Sequence, residues 1–411
     1  MGRTRSQLRF LSGTGAVALT FLVLPPAPTA TAADQCEFGG KPYEGRPWAL
    51  QRVLLDELWK QSTGEGVRVA VIDTGVDVKN PQLAPAVNVR KGRNFLPPNL
   101  KDDNGNKIER GREDGTSDVV GHGTKVAGIV AARPAKDTGF VGLAPKATII
   151  PIQQNDAESH GDTDNLADAI NYAANDAKAH VINISQDTVN PIARSSKLER
   201  AVANALAQEI VIVASAGNDG LGGNVKKTYP ASYDGVLAVA AADRNNERAA
   251  FSQSGDFVDV AAPGVDMVST VPLGGHCTDN GTSFSAPYVA GVAALIKAKH
   301  MDWTQKQITA QIMQTAERSI PGHDRLVGWG VVDPVRALTE DDKPIDHPVP
   351  SNEGAGRAEA PTVAQLPLGE TPQQRTVRLG TYVVVGSLVL VAVIGGGAVA
   401  MRDSRRRTPS G

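Results

Sequence analysis

Residues 67–75 read VRVAVIDTG. The run Val67–Ile72 is short, almost continuously apolar and rich in β-branched side chains, which is typical of a strand buried on both faces of a parallel sheet. An acid, Asp73, follows the run directly in a sharp turn. Since open α/β sheets bind ligands beyond the carboxyl ends of their strands, this stretch predicts a central strand that delivers a carboxylate to a ligand site.

Other parts of the chain repeat this pattern. Similar apolar runs occur at Thr148–Ile152, Val181–Ile184, Ile210–Ala214 and Val236–Ala240. Stretches rich in Ala and Leu that are typical of helices lie between them, at Asp164–Ala179 and Lys197–Gln208. Strands that alternate with helices predict an α/β fold with a doubly wound, mainly parallel sheet in three αβα layers.

Composition excludes several classes of protein. The 411 residues are 41% hydrophobic and 21% charged, which is enough apolar content for a folded body and too much for a disordered protein. The net charge of −2 lacks the basic excess of a nucleic-acid binder, so no nucleic-acid partner is expected. Two cysteines are too few for a disulfide scaffold or a zinc site.

One polar loop is a candidate cation site. It contains Asp102, Asp103, Asn104 and Asn106. These residues lack a clear calcium-loop spacing, and we interpret the loop as solvated. We therefore expect neither a metal nor a cofactor.

The N-terminus carries an export signal. Residues 1–33 combine an arginine-containing start, the uncharged run Phe10–Leu24 and the small-residue sequence Ala30-Thr31-Ala32, which is the pattern of a cleaved secretory signal peptide. An uncleaved anchor is the alternative, but the apolar run is short for a membrane span. Residues 34–47 then form a short N-terminal extension before the folded body, which we place at residues 48–340.

The C-terminal part has the pattern of a membrane anchor. Leu379–Met401 carries no charge over 23 residues, and as a helix it would be about 35 Å long, enough to cross a bilayer. A buried core helix is the alternative. The basic tail, residues 402–411, favours a cytoplasmic C-terminus. Residues 341–378 are rich in proline without an aromatic residue, and we expect a disordered tether. This pattern predicts a single-pass type I protein of the cell membrane with an extracytoplasmic body.

Four polar residues stand at the ends of predicted elements. Asp73 ends the first strand, and His122 lies between two glycines before an apolar helix. Ser283 opens a nearly all-apolar helix, and Asn218 follows Ser215-Ala216-Gly217 at the end of another strand. Taken singly, each has a structural interpretation as a cap, turn or packing residue. Together they supply the nucleophile, base, orienting acid and oxyanion donor that acyl transfer by serine requires.

A family resemblance rests on these motifs. The order Asp, His, Ser, carried by VIDTGVD, GHGTKVAG and GTSFSAP with SAGN before the last, resembles the subtilisin-like serine proteases from about Trp48 to Leu338. The resemblance implies an endopeptidase acting on proteins or peptides, with Asp73, His122 and Ser283 as its catalytic triad. It also implies an oxyanion hole made by Asn218 and the backbone N–H of Ser283.

The resemblance further implies which residues meet the substrate. Ser185 and Gln186, together with Ser215–Gly217, are expected to border the substrate backbone and the pocket for the residue before the cut. Gln186 and Asp187 replace the Leu-Gly pair that is more usual in the family. The preference of the pocket is therefore left open by the resemblance.

Within that superfamily, the chain is most similar to the mycosins, membrane-anchored proteases associated with type VII secretion. The similarity includes Phe284 after the serine, the segment GFVGLAP, and a proline-rich stalk before one C-terminal helix. It implies membrane components of a type VII secretion system as partners. The alternative is a mainly structural component of that system with proteolysis secondary. An inactive surface-binding module is disfavoured because no catalytic part is missing.

The chain departs from many mycosins in its cysteines. The cysteine that often stands beside the catalytic histidine is missing here, so the only intrachain pair is Cys36 and Cys277. We expect this pair to form a disulfide in an oxidising extracellular setting. The bond would attach the N-terminal extension beside the loop that leads to Ser283.

Overall fold

The computed structural model describes residues 36–99, 101, 105, 107, 110–156, 162–187, 195–223, 226–350 and 372–406. The predicted signal peptide, most of the predicted tether, most of the polar loop at 102–106 and the end of the basic tail lie outside these residues. The chain divides into two compact units, residues 1–352 and 353–411. The first unit contains the predicted body, and the two units are described separately.

A seven-stranded sheet organises the first unit. Its strands are β1 (Arg68–Asp73), β2 (Arg93–Asn94), β3 (Thr148–Gln153), β4 (Val181–Ile184), β5 (Val211–Ser215), β6 (Leu237–Ala242) and β7 (Val260–Pro263). They lie in the order β2-β3-β1-β4-β5-β6-β7, and every neighbouring pair is parallel. Strand order reverses beside β1, so a crevice opens there at the carboxyl edge of the sheet. The predicted doubly wound sheet is confirmed.

Helices cover both faces of the sheet. The helices of this unit are α1 (Trp48–Gln51), α2 (Leu55–Gln61), α3 (His122–Ala131), α4 (Thr163–Asn175), α5 (Lys197–Ala207), α6 (Thr282–Lys299), α7 (Gln305–Gln314) and α8 (Pro334–Thr339). Alternate strand residues face opposite sides, because side chains alternate along a strand. Val69 and Val71 pack in the core of α3 and α6, whereas Ala70 and Ile72 pack in the core of α4 and α5. The three-layer αβα prediction is therefore confirmed.

The helix α6 is buried on almost every side. All residues from Phe284 to Lys297 are buried, although this helix begins at the carboxyl edge of the sheet. A helix that is apolar all round belongs in a core rather than on a surface. Its amino end is consequently held in a fixed position beside β4 and β5.

A hairpin that precedes α6 is joined to the N-terminal extension. Strands β8 (Met267–Thr270) and β9 (His276–Asp279) pair antiparallel. The disulfide Cys36–Cys277, predicted from the sequence, joins the extension to β9. Backbone hydrogen bonds from Gly39 to the carbonyl of Pro272 and from His276 to the carbonyl of Lys41 add further attachment.

Removing the disulfide is expected to lower the free energy of unfolding by about 2 kcal/mol. This is the lower end of the usual range, because backbone hydrogen bonds also hold the extension. The measurement is thermal unfolding of the full chain and of the double variant Cys36→Ser, Cys277→Ser, with and without reductant. Reductant should lower the unfolding temperature of the parent chain alone, and equal sensitivity of both proteins would contradict the prediction.

Two boundaries differ from those expected from the sequence. Helix α4 ends at Asn175 rather than Ala179, because the N–H of Ala177 bonds back to the carbonyl of Tyr172 and the next residue adopts a φ of 55°. Asp341, expected at the start of the tether, is buried against the carboxyl end of α6, where it pairs with Lys299 at 2.7 Å.

The second unit contains one long helix among its described residues. Helix α9 (Pro372–Arg406) begins before the predicted span, and an 18-residue window within its segment Gln373–Asp403 has a mean hydropathy of 2.5. This segment is long and apolar enough to cross a membrane.

Candidate active site

The carboxylate at the end of β1 contacts the imidazole at the start of α3. Asp73 is buried, and its Oδ1 lies 2.7 Å from Nδ1 of His122. The backbone N–H of Thr74 donates to the same oxygen at 2.8 Å. Because a carboxylate can only accept, Nδ1 of His122 carries the proton, and Nε2 of the neutral ring is left as an acceptor.

Asp118 holds the start of α3 in place. One carboxylate oxygen accepts from the N–H of Gly121 at 2.7 Å and from the hydroxyl of Thr74 at 2.9 Å. The other accepts from the N–H and the hydroxyl of Thr124 at 2.8 and 2.7 Å. Since Thr74 follows Asp73 directly, Asp118 connects the strand that ends in the acid to the helix that begins with the imidazole.

The close approach of α3 to β1 requires a glycine. A Cβ placed on Gly123 would lie 2.1 Å from the carbonyl oxygen of Gly75 and 3.1 Å from Oδ1 of Asp73. Any side chain there would push the two elements apart and lengthen the bond from His122 to Asp73. The glycine after the histidine therefore allows the close approach of the two backbones.

Two opposing influences act on the imidazole. Burial lowers the pKa of His122, whereas the charge of Asp73 and the hydrogen bond to it raise the pKa. The charge of Asp73 and its hydrogen bond together outweigh burial, so the pKa of His122 lies above its ordinary value of 6.5.

We expect the pH profile of peptide hydrolysis to report this shift. A histidine that accepts a proton must be neutral, so kcat/KM should rise with pH through a midpoint above 6.5. The measurement is kcat/KM for one uncharged peptide substrate between pH 5 and 9. A midpoint below 6.5 would contradict the stabilisation of the charged imidazole by Asp73.

The environment of Ser283, in the first turn of α6, depends on a proline. Pro287 has no N–H, so it cannot donate to the carbonyl of Ser283 four residues earlier. That carbonyl accepts instead from the hydroxyl of Ser185 at 2.9 Å. In return, the hydroxyl of Ser283 donates to the carbonyl of Ser185 at 3.0 Å. This exchange places Ser283 against the residue that follows β4.

His122 and Ser283 line the same cavity, which has a volume of about 330 Å³. The ring of His122 also lies 5.4 Å from the ring of Phe284, the neighbour of Ser283. In this rotamer, the hydroxyl of Ser283 bonds to Ser185 rather than to the imidazole. The structure thus brings together the three residues predicted as a triad and bonds two of them directly.

Asn218 is oriented by its contacts with α6. Its Oδ1 accepts from the N–H and the hydroxyl of Thr282 at 2.9 and 3.0 Å. Only the oxygen of an amide can accept, so these bonds fix which end of the side chain faces Thr282. The amide nitrogen lies 3.6 Å from where a Cβ on Gly281 would be, and Asn218 is an exposed residue.

The residues expected to meet substrate follow two neighbouring strands. Ser185 and Gln186 line the cavity, as does Asp187. Ser215–Gly217 is buried beside them, and the N–H and carbonyl of Gly217 bond to Thr282 and to the backbone of residue 253. This second segment can therefore form a wall of a pocket, while its last backbone groups are already paired.

One positioning residue was missed by the sequence reasoning. Asp118 was not singled out, although an acid just before an apolar helix is a recognised start signal. Its contact with Thr74 crosses 44 positions of the chain, and no local pattern indicates it. A metal-binding cluster of three or more His, Cys, Asp or Glu side chains is not found among the described residues.

Comparison with known proteins identifies the family. The subtilase family, Peptidase_S8, matches residues 64–330, which is more than half of the chain. Subtilisin Savinase of Lederbergia lenta is 37% identical over 287 residues, covering 70% of this chain and 96% of the relative. Subtilisin E of Bacillus subtilis is 33% identical over 319 residues, covering 77% and 78%. The chain belongs to the subtilase family and is a subtilisin-like serine endopeptidase.

Solved structures of mycosin proteases are also similar to this chain. MycP1 with its N-terminal propeptide removed is 35% identical with a TM-score of 0.62, covering 72% of this chain and 97% of that structure. MycP3 protease from the type VII (ESX-3) secretion system is 31% identical with a TM-score of 0.61, covering 78% and 100%. These neighbours confirm the resemblance to mycosins expected from the sequence.

Proposed function

We propose that this subtilase is a membrane-anchored, extracytoplasmic endopeptidase that hydrolyses peptide bonds with Asp73, His122 and Ser283. The observation that carries the proposal is the 2.7 Å hydrogen bond between Asp73 and His122 at the cavity that Ser283 also lines. The burial of Asp73 strengthens it, because a buried acid keeps the imidazole in one tautomer and one orientation.

The reaction follows from these positions. The hydroxyl oxygen of Ser283 bonds to the substrate carbonyl carbon while Nε2 of His122 takes the hydroxyl proton. The C–N bond then breaks, and His122 returns the proton to the leaving amine. Water then attacks the acyl carbon while His122 takes its proton, the ester bond to Ser283 breaks, and His122 returns the proton to the serine oxygen. Asp73 stabilises the charged imidazole in both acylation and deacylation.

The resting hydroxyl of Ser283 must first turn toward the imidazole. It exchanges its bond to the carbonyl of Ser185 for one to Nε2 of His122 by rotation about one side-chain bond. Catalytic hydrogen bonds are often poorly aligned without substrate and form only in the complex, so the resting rotamer is compatible with this step.

The oxyanion is stabilised at the amino end of α6. The amide nitrogen of Asn218 and the backbone N–H of Ser283 are the two donors in this proposal. The N–H groups of a first helical turn have no partner within the helix, and the positive end of the helix dipole favours negative charge there.

Covalent labelling by a fluorophosphonate probe tests the proposed triad. The full chain in mild detergent should be labelled, whereas Ser283→Ala and His122→Ala should not. Labelling that persists in a folded Ser283→Ala protein would show that another group is the nucleophile and would overturn the assignment.

The proposed cellular setting rests on the ends of the chain and on the neighbours. We assign residues 1–33 to a signal peptide, 34–47 to an extension and 48–341 to the peptidase, because Asp341 is buried in it. Residues 342–371 are assigned to a tether that ends where α9 begins, 379–401 to a membrane span and 402–411 to a cytoplasmic tail. The apolar helix α9 supports the span, and the arginines that follow residue 401 favour type I topology. The likeness to MycP1 and MycP3 supports an association with type VII secretion.

A structural role in the secretion complex is the second candidate function. One neighbour, the serine protease MycP1, is an essential component of the type VII (ESX-1) secretion system. Secretion is measured in a strain that lacks this protein and is given back either Ser283→Ala or a chain without Leu379–Met401. The two variants separate proteolysis from a structural role. Restoration of secretion by Ser283→Ala alone would establish scaffolding as the main role, and failure of Ser283→Ala at normal protein abundance would establish proteolysis.

A further inference from the structure

The two segments that follow β4 and β5 form facing walls beside the candidate nucleophile. The strands are parallel neighbours, with Ile184 opposite Ala214. Both walls therefore extend past the same edge of the sheet, Ser185–Asp187 on one side and Ser215–Gly217 on the other. A Cβ placed on Gly217 would lie 2.9 Å from Oδ2 of Asp187. The carboxylate of Asp187 thus reaches across the gap to the opposite wall.

The position of this gap determines which substrate residue it receives. Gly217 precedes Asn218, the proposed oxyanion donor, and Ser185 bonds to Ser283, the proposed nucleophile. The gap is consequently next to the carbonyl under attack. It receives the side chain of the residue that supplies this carbonyl, an assignment that rests on the proposed function.

The side chains of Gln253 and Thr228 border the same point of the gap, Thr228 with its methyl group 2.9 Å from a Cβ on Gly217. The Cγ of Gln253 lies 3.0 Å from the position of a Cβ on Gly217, whose φ of +101° also favours glycine. Gln253 is fully buried, and neither atom of its side-chain amide has a hydrogen-bond partner among the described residues. Buried polar groups in folded proteins are almost always paired, so the amide of Gln253 is available to bond a water or a polar group that enters the gap.

The charges around the gap are negative. Protein atoms around the carboxyl group of Asp187 and the nearby charge of Asp219 raise the pKa of Asp187 to about 6, so it remains mainly ionised at neutral pH. Asp156 and Asp162 line the same cavity, and its described lining includes no lysine or arginine. A positive group in the gap would stabilise the ionised carboxylate of Asp187 and so oppose this rise in its pKa.

We propose that Asp187 makes this peptidase select lysine or arginine as the residue whose carbonyl is attacked. The long side chain of such a residue carries its charge into the gap between the walls and donates to Oδ2 of Asp187. Hydrogen bonds between charged partners are stronger than those between neutral ones. An apolar side chain of similar length would leave the carboxylate partly desolvated without compensation.

Paired peptide substrates test this selectivity. The full chain in mild detergent at pH 8 is given peptides that differ only in having Lys or Leu before the scissile bond. Asp187→Asn should lower the ratio of kcat/KM for Lys over Leu on the order of tenfold to a hundredfold. The matched comparison is Asp219→Asn, which removes an equal charge nearby but leaves Asp187 as the acceptor, so it should lower the ratio by a smaller factor. An unchanged ratio in Asp187→Asn, or an equal loss in Asp219→Asn, would overturn the proposal.

A binding measurement separates this inference from the proposed function. The probe is p-aminobenzamidine, a small aromatic cation, and the protein is Ser283→Ala, so that no turnover is needed. Its Kd should rise on the order of tenfold when Asp187→Asn is added and by a smaller factor when Asp219→Asn is added. Binding independent of Asp187 would overturn the inference even in an active peptidase. Asp187-dependent binding without any peptide hydrolysis by the parent chain would overturn the proposed function and leave the pocket assignment standing.

Discussion

Replacing Ser283 with alanine is expected to lower the turnover of peptide hydrolysis about a millionfold while KM changes little. In subtilisin, a relative of this chain, removing the nucleophile alone costs about 2 × 10⁶ in kcat. The same scale applies here because the variant keeps the backbone N–H of residue 283 and the amide of Asn218, and loses only the attacking oxygen. The measurement is kcat and KM for one peptide substrate under single-turnover and steady-state conditions.

The neighbouring Ser285 provides a matched control. It lies in the same helix, it is fully buried, and its hydroxyl has no hydrogen-bond partner among the described residues. Since Ser285→Ala removes an unpaired buried hydroxyl, it should keep both the fold and the turnover. Turnover above about 1% of the parent level in a folded Ser283→Ala protein, measured beside an intact Ser285→Ala protein, would contradict the role of Ser283.

The central strands could be predicted because their sequences meet one simple requirement. A strand that is buried on both faces needs a continuous apolar run, and Val181–Ile184 is both predicted and observed as β4. The edge strand β7 and the hairpin strand β9 lack this signal. β7 has only four residues, two of them alanine and one proline, and β9 is partly exposed, so their pairing depends on distant partners rather than on their own composition.

The sequence predicts which residue types form the site, but it does not predict most of the hydrogen bonds between them. Asp73 and His122 meet because a strand end and a helix start lie at one edge of the sheet, which the alternation of strands and helices already indicates. The hydrogen bond from Thr74 to Asp118 joins residues 44 positions apart, and the bond from Ser283 to Ser185 joins residues 98 positions apart. Such long-range hydrogen bonds depend on packing, which no local pattern encodes.

Removing the amide of Asn218 is expected to lower kcat by about a hundredfold to a thousandfold, with a smaller change in KM. The donor acts on charge that develops only in the transition state, so its loss affects turnover more than binding. The variants are Asn218→Ala, which removes the whole amide, and Asn218→Asp. The second keeps an oxygen that accepts from Thr282 and lacks the donor.

Comparison of these two variants separates orientation of α6 from stabilisation of the oxyanion. If Asn218 only held Thr282 in place, Asn218→Asp would preserve kcat, because a carboxylate accepts the same two hydrogen bonds. If its nitrogen donates to the oxyanion, Asn218→Asp should lose at least as much as Asn218→Ala, since a negative charge then faces the developing one. The loss in Asn218→Asp follows from the observed geometry, because the bonds from Thr282 occupy the oxygen and leave the nitrogen for the substrate.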